Sequence, residues 1–126
     1  MEAILETLRE INSQKMDGRA CPSDILALQE ANGFDSENKE FMGQIAMELD
    51  FDHAVVSKSV KWEGDGLRYN TAIYSRYPLK EVHDFYPQLS LAGLCIAIDS
   101  KEFGRVGILS QHLYVDSNVL GEDRRL

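Results

Sequence analysis

Cysteine is scarce in this sequence, and its two cysteines, Cys21 and Cys95, lie 74 positions apart. This spacing matches neither a zinc site nor a redox pair, so we expect free thiols. A chain of 126 residues hides roughly two thirds of its unfolded surface on folding and needs no disulfides for stability. Its 44% hydrophobic and 27% charged residues are typical of a globular protein, which predicts a single domain over residues 1–126.

Positive charge is also in short supply. The 13 Lys and Arg residues are outnumbered by 21 Asp and Glu residues, which gives a net charge of -8. Proteins that track nucleic-acid backbones usually present a basic face, so nonspecific binding of nucleic acid is disfavoured. A phosphoester substrate is not excluded, because a bound cation such as Mg²⁺ reverses the local sign of the charge.

Long apolar runs are missing as well. None is long enough for a transmembrane helix. The opening segment Met1–Glu6 lacks both basic residues and an uninterrupted apolar core, so it is not a signal peptide. The compartment stays open, with a cytoplasmic location favoured.

The first fifty residues carry two helical patterns separated by a short apolar run. Residues 1–14 predict an amphipathic helix, because four apolar residues recur at helical spacing. These four are Ile4, Leu5, Leu8 and Ile11. The turn dipeptide Asp17-Gly18 predicts a loop over residues 15–22. The apolar run of residues 24–29 is typical of a strand that is covered on both faces.

A second helix is expected over residues 36–50, capped by Asp35 or Ser36. Its apolar stripe consists of Phe41, Met42, Ile45, Ala46 and Leu49. From His53 onward the hydrophobic period changes to two, which predicts a mostly β second half and an α/β fold. The expected strands cover residues 53–60, 69–77, 81–85, 93–99 and 105–113. A hairpin loop over residues 100–104 separates the last two.

A single carboxylate, Glu30, stands where the first strand pattern stops. An arbitrary Glu in this place caps the strand and points into water, whereas a functional one would bind a hard cation, because Mg²⁺ prefers oxygen ligands. The segment Asp24–Glu30 resembles, at every position, the second strand of the endonuclease/exonuclease/phosphatase superfamily of DNase I-like, metal-dependent phosphoesterases. In that family the Glu after this strand binds the catalytic cation. The resemblance therefore implies that Glu30 is a metal ligand.

A second stretch, residues 69–79, is similar to the family strand that runs beside the active site and ends in Ser-Arg-x-Pro. Its alternating residues are also what any half-buried strand shows. Asn70 stands at the strand entrance, where a short amide can either reach the substrate phosphate or pair with a loop amide. Both alternatives stay open, and Asn70 is a candidate catalytic residue.

A third stretch, residues 106–113, resembles the family strand that ends in Thr-His-Leu or Asn-His-Leu. Alternation places one set of side chains on a common face, so a mainly apolar strand presents an imidazole only at its end. The set is Val106, Ile108, Ser110 and His112. A lone His is more often structural, but in the family this His contacts the scissile phosphate. The resemblance implies that His112 is catalytic, and Gln111 stands where the family usually has Thr or Asn.

The resemblance also implies that the chain is the N-terminal half of a family domain. The family's first strand with its metal-site Asn, its Gly-Asp-x-Asn segment and its terminal Ser-Asp-His have no counterpart in the sequence. The expected fold is a partial four-layer α/β sandwich, with two mixed or antiparallel β-sheets flanked by helices and truncated at both ends. Such a sandwich would expose sheet edges and favour self-association.

The implied function is hydrolysis of a phosphodiester or phosphomonoester, with Mg²⁺ or Mn²⁺ assisting the in-line attack of water on phosphorus. Nucleic acid, a phosphoinositide or a phospholipid headgroup would each suit this chemistry as the substrate. Glu30 and His112 must then meet at one rim of the β scaffold. The alternatives are a noncatalytic interaction module on the same scaffold and an unrelated α/β domain with chance motif matches.

Overall fold

A computed structural model of the protein describes residues 2–20, 23–58, 60–61, 64, 66–85 and 90–113. The described helices are α1 (Glu2–Asn12) and α2 (Lys39–Glu48). The described strands are β1 (Lys15–Met16), β2 (Arg19–Ala20), β3 (Ile25–Leu28), β4 (His53–Val56), β5 (Val60–Lys61), β6 (Arg68–Tyr69), β7 (Ala72–Ser75), β8 (Leu79–Asp84), β9 (Ser90–Ser100) and β10 (Gly104–Leu113).

The longer strands form two antiparallel sheets of three strands each. In the first sheet β7 lies between β3 and β4, and in the second sheet β9 lies between β10 and β8. Two short hairpins, β1–β2 and β5–β6, account for the other described strands. The predicted α/β class is confirmed, and of the two expected sheet types, mixed or antiparallel, both sheets are antiparallel. The partial four-layer sandwich stays a prediction.

Strand β7 is the centre of the fold, because its two faces contribute to two separate cores. Ala72 and Tyr74 belong to a cluster that includes Leu5 of α1 and Ile45 of α2. Ile73 faces the other way and packs against the second sheet. The β9 residues in that second cluster are Leu94, Ile96 and Ile98. The helices, the first sheet and the second sheet are therefore stacked in that order.

Strand β3 contacts a core with each face, as expected, but its coverage is incomplete. It is an edge strand of the first sheet, since β7 is its only neighbour among the described strands. Ala27 is exposed, and the other three residues of the strand are only partly buried. Leu26 and Leu28 pack against the first cluster and Ile25 packs against the second, so each face contacts a core, although the apolar run did not reveal that the strand has a single described neighbour.

Helix α1 buries a narrower face than the sequence pattern predicted. Leu5 and Leu8 are buried, but Ile4 and Ile11 are 52% and 51% exposed. The loop expected after the helix is instead the β1–β2 hairpin. Its turn residue Asp17 has a positive φ of 52°, followed by a glycine at 76°, as a two-residue hairpin turn requires.

Helix α2 begins at Lys39, later than the predicted residue 36. Asn38 precedes it without a side-chain cap hydrogen bond, so the predicted cap at Asp35 or Ser36 is wrong. The preceding residues form turns instead, in which the Asn38 N–H donates to the Gly33 carbonyl at 2.7 Å. The predicted apolar stripe is confirmed. Phe41, Ile45 and Leu49 are buried, with Met42 and Ala46 packed against the same cluster.

The predicted β-rich second half is confirmed, although two of its strands are interrupted. The expected strand over residues 53–60 divides into β4 and β5, and that over residues 69–77 divides into β6 and β7. The predicted hairpin between the last two strands is present, and Gly104 has a φ of 72° at its end. At these interruptions the Asn70 side chain donates to the Ser57 carbonyl, and the Thr71 N–H donates to Ser57 Oγ.

Two expectations from composition can be compared with the structure. Cys95 has a free thiol, as predicted, while Cys21 lies outside the described residues. Within the described ranges, neither helix has the length and apolar character needed to cross a membrane.

The C-terminal end of α2 is tied to the first sheet by Arg76, which follows β7. Its Nη1 and Nη2 atoms donate to the carbonyls of Asp50 and Leu49 at 2.7 and 3.1 Å. Its Nε donates to the Ser23 carbonyl at 2.9 Å, and the guanidinium lies 5.0 Å from the centroid of the Phe51 ring. The Arg of the Ser-Arg-x-Pro motif is therefore structural and lies at the opposite end of β3 from the candidate metal ligand.

We expect Tyr74→Phe to lower the free energy of unfolding by about 1 kcal/mol. Tyr74 is 0% exposed, its hydroxyl donates to the Met42 carbonyl at 3.0 Å, and burial raises the pKa of the phenol. The variant keeps the ring in the core and loses only this bond. Urea denaturation followed by circular dichroism measures the difference, and a variant as stable as the parent would show that the bond contributes nothing.

Candidate active site

Glu30 lies beyond the end of the β-ladder, at the tip of β3. Leu28 is the last residue paired with β7, so Gln29 and Glu30 extend past the ladder. The backbone of Glu30 has a φ of 53°, in the left-handed region, and the chain leaves the strand direction there. The next residue is fixed, because the Ala31 N–H donates to the Asn70 carbonyl at 3.0 Å. The Glu30 side chain is 66% exposed.

His112 lies near the end of β10 and faces inward between the sheets. It shares a strand face with Ser110, which is 5% exposed. The His112 side chain is 17% exposed, and the Tyr69 ring packs against it edge to face with 5.4 Å between ring centroids. A β-bulge between His112 and Leu113 interrupts the regular pairing with β9. The imidazole is therefore held in place at the end of the strand.

The structure brings Glu30 and His112 together at one rim of the two sheets. The Oε1 atom of Glu30 lies 3.7 Å from the Nε2 atom of His112. At this distance the groups form an ion pair when the imidazole is protonated, but not a hydrogen bond. The prediction that both strand tips face the same end of the molecule is confirmed, and the chemical roles of the two residues stay predictions.

Hydrogen bonds join the two strand tips across the sheets. The Gln29 amide Nε2 donates to the Gln111 carbonyl at 2.7 Å. Thr71 Oγ1 donates to the Leu28 carbonyl at 2.8 Å and lies 2.7 Å from Ser110 Oγ, so the Ser110 hydroxyl is the donor in that second contact. These polar residues were not among the site residues predicted from the sequence. Their position on or next to otherwise apolar strands could have indicated them, because buried polar groups require hydrogen-bond partners.

Asn70 is fully buried, at 0% exposure, behind the segment that follows Glu30. Its Oδ1 accepts a hydrogen bond from the Gly33 N–H at 3.1 Å, and its Nδ2 donates to the Ser57 carbonyl at 2.8 Å. Its own N–H donates to Asn32 Oδ1 at 3.2 Å. The sequence left two alternatives open for Asn70. The bond from the Gly33 N–H is pairing with a loop amide, whereas contact with phosphate stays a prediction.

The sequence that carries this site matches a known protein family over most of its length. A family model, that of the Endonuclease/Exonuclease/phosphatase family, matches residues 1–117. The chain belongs to this family. No curated protein and no solved structure matches it. The predicted resemblance is therefore confirmed, and the scaffold is of the phosphoesterase type.

The donor set of this endonuclease/exonuclease/phosphatase site suits a hard, hydrated cation. Glu30 supplies a carboxylate, and the described residues contain no cluster of three or more His, Cys, Asp or Glu side chains that could hold an ion. Zinc sites use three or four such ligands, whereas Mg²⁺ is commonly held by one or two carboxylates, several waters and substrate phosphate. A single exposed carboxylate such as Glu30 is chemically compatible with a hydrated Mg²⁺ or Mn²⁺ ion.

An open cavity of about 520 Å³ adjoins the family site, between the tip of β3 and the end of β10. Leu109 and Leu113 line it from β10, and each is 59% exposed. Gln29 and Gln111 line it on the side nearest to the site. The cavity therefore combines amide groups at the rim with apolar surface further along the strand.

Proposed function

We propose that this site serves metal-dependent hydrolysis of a phosphoester, with Mg²⁺ or Mn²⁺ as the cation. The observation that carries the proposal is the 3.7 Å approach of the Glu30 carboxylate to the His112 imidazole, on a scaffold of the endonuclease/exonuclease/phosphatase family. An acid that prefers hard cations and a donor for a phosphate oxygen then lie side by side.

Glu30 is the residue that would hold the cation. Its side chain is 66% exposed, so waters and a substrate phosphate can complete the coordination shell without displacing protein groups. A bound Mg²⁺ would supply neutralisation of the charge on the phosphate oxygens. The left-handed turn at Glu30 and the bond from the Ala31 N–H to the Asn70 carbonyl fix the backbone from which the Glu30 side chain extends.

His112 would donate a hydrogen bond from Nε2 to a nonbridging phosphate oxygen. Such a donor stabilises the charge that develops when water attacks phosphorus in line and the ester oxygen departs with a proton, leaving the phosphate on the other product. The imidazole is suited to this role because it is only 17% exposed and packs against Tyr69. Little reorientation is then required during the reaction.

Asn70 would support the site from behind. Its buried amide holds the Gly33 N–H and the Ser57 carbonyl, and its backbone holds Ala31, directly after Glu30. We therefore propose that Asn70 positions the metal ligand and, through it, the phosphate.

We propose a phospholipid headgroup or phosphoinositide as the substrate ahead of nucleic acid. The net charge of -8 repels a long polyanion, while a single metal-bound phosphate is tolerated. The exposed Leu109 and Leu113 beside the site would suit the apolar part of a lipid phosphoester.

A noncatalytic interaction module on the same scaffold is the second candidate. It is favoured by one observation, that in the described ranges no third acidic or imidazole group joins Glu30 and His112 into a metal-binding cluster. Titration with Mn²⁺ separates the two candidates. Binding that depends on Glu30 supports the phosphoesterase, and no binding at millimolar Mn²⁺ supports the module.

We expect His112→Asn to lower the metal-dependent hydrolysis of bis(p-nitrophenyl) phosphate by about 10²-fold, the usual effect of removing one donor to a developing oxyanion. Mn²⁺ affinity should stay the same, because Glu30 and not His112 holds the cation. His83→Asn is the matched control, since His83 lies on β8 with a side chain that is 69% exposed. Equal rates for His112→Asn and the parent would contradict the role of His112.

A further inference from the structure

Glu30 is held by its neighbours, because the ladder ends before it. On its C-terminal side the Ala31 N–H is bonded to the first sheet, through the Asn70 carbonyl. On its N-terminal side the Gln29 amide reaches the second sheet, through the Gln111 carbonyl at 2.7 Å. The two anchors therefore attach the flanks of Glu30 to different sheets.

The Gln29 bond links the two segments that carry Glu30 and His112, and it therefore affects the distance between these two side chains. Its acceptor, the Gln111 carbonyl, belongs to the peptide unit that directly precedes His112. The bond therefore couples the residue before Glu30 to the residue before His112.

A second cross-sheet connection lies deeper in the same interface. Thr71 Oγ1 bonds to the Leu28 carbonyl and meets the hydroxyl of Ser110, and both hydroxyl-bearing residues are buried. Satisfied buried hydrogen bonds of this kind fix a unique packing arrangement. Because this connection already sets the spacing of the sheets, loss of the exposed Gln29 bond should alter the rim without unfolding the protein.

We propose that Gln29 is a positioning residue, whose side-chain bond to the Gln111 carbonyl holds the Glu30 carboxylate within reach of the His112 imidazole. The expected effect of this bond on metal binding rests on the proposed function, whereas its expected effect on the distance between Glu30 and His112 does not. Groups that orient metal ligands typically change metal affinity by about 10- to 100-fold when removed. For an exposed bond one residue away from the ligand we expect the lower end of this range.

The test compares the parent with Gln29→Met, which keeps the length of the side chain and removes its donor. Gln44→Met is the matched control, because Gln44 is an exposed amide on α2, away from the site. In metal-free protein, a nuclear Overhauser effect between the Glu30 methylenes and the His112 ring should be observed in the parent and control and be much weaker in Gln29→Met. Mn²⁺ binding, measured by electron paramagnetic resonance, should be about tenfold weaker in Gln29→Met alone.

The outcomes distinguish this inference from the proposed function. An Overhauser effect that is equally strong in Gln29→Met and the parent overturns the positioning role, whatever the metal data show. An effect that weakens as expected, in a parent that binds no Mn²⁺, supports the positioning role and contradicts the proposed function. An unchanged midpoint of thermal unfolding in metal-free Gln29→Met shows that any loss of the effect is local.

Discussion

Replacing Glu30 by Gln is expected to lower metal-dependent phosphodiester hydrolysis by about 10³-fold, because stabilisation by a bound metal contributes several kcal/mol and each 1.4 kcal/mol is about tenfold in rate. The amide has the same shape and similar backbone preferences, so the left-handed turn at residue 30, with a φ of 53°, should persist. What changes is the charge. A neutral amide oxygen is a much weaker ligand for Mg²⁺ than a carboxylate.

The same variant should bind Mn²⁺ at least about 100-fold more weakly than the parent, since even groups that only orient a ligand have effects of that order. Isothermal titration with Mn²⁺ measures the affinity, and the release of p-nitrophenol measures the rate. Glu40→Gln is a suitable control, because Glu40 is an exposed carboxylate in the first turn of α2. Undiminished Mn²⁺ affinity in Glu30→Gln would rule out this residue as the ligand.

The resemblance to the family predicted the rim at which Glu30 and His112 meet, and in the sequence each of the two residues ends an apolar run. Alternation along residues 106–113 correctly placed Ser110 and His112 on the inward face. Those periodicities are local, so they can be read without knowing what packs on the strand. Together with the resemblance, they predicted both residues of the pair.

The contacts between the sheets could not be predicted in the same way. The bond from Gln29 to the Gln111 carbonyl depends on how two sheets are stacked, and no local pattern encodes that distance. The same holds for β3, whose apolar run gave no sign that it lies at an edge. For Asn70 the residue type permitted two partners, and the bond from the Gly33 N–H is a tertiary contact that no local pattern shows. Tertiary context therefore decides each of these features.

Replacing Asn70 by Ala should have the largest effect on stability among the variants considered, lowering the free energy of unfolding by about 2–4 kcal/mol. The side chain is 0% exposed and bonds to the Gly33 N–H and the Ser57 carbonyl. Alanine can replace neither bond, so a buried donor and a buried acceptor lose their partner. Equilibrium unfolding in urea measures the change, and Gln44→Ala, at an exposed amide on α2, should stay within about 0.5 kcal/mol of the parent.

The Asn70 variants also separate the two roles that the sequence left open. If Asn70 positions the segment after Glu30, Asn70→Ala should lose stability and Mn²⁺ affinity together, because the Gly33 N–H loses its partner while the backbone bond to Ala31 remains. Asn70→Asp should also be destabilised, since it keeps an acceptor for Gly33 but faces the Ser57 carbonyl with a buried negative charge. If Asn70 acts instead by touching phosphate, Asn70→Ala should keep the stability of the parent and lose only turnover. That pattern would contradict the positioning role of Asn70 and support its catalytic role.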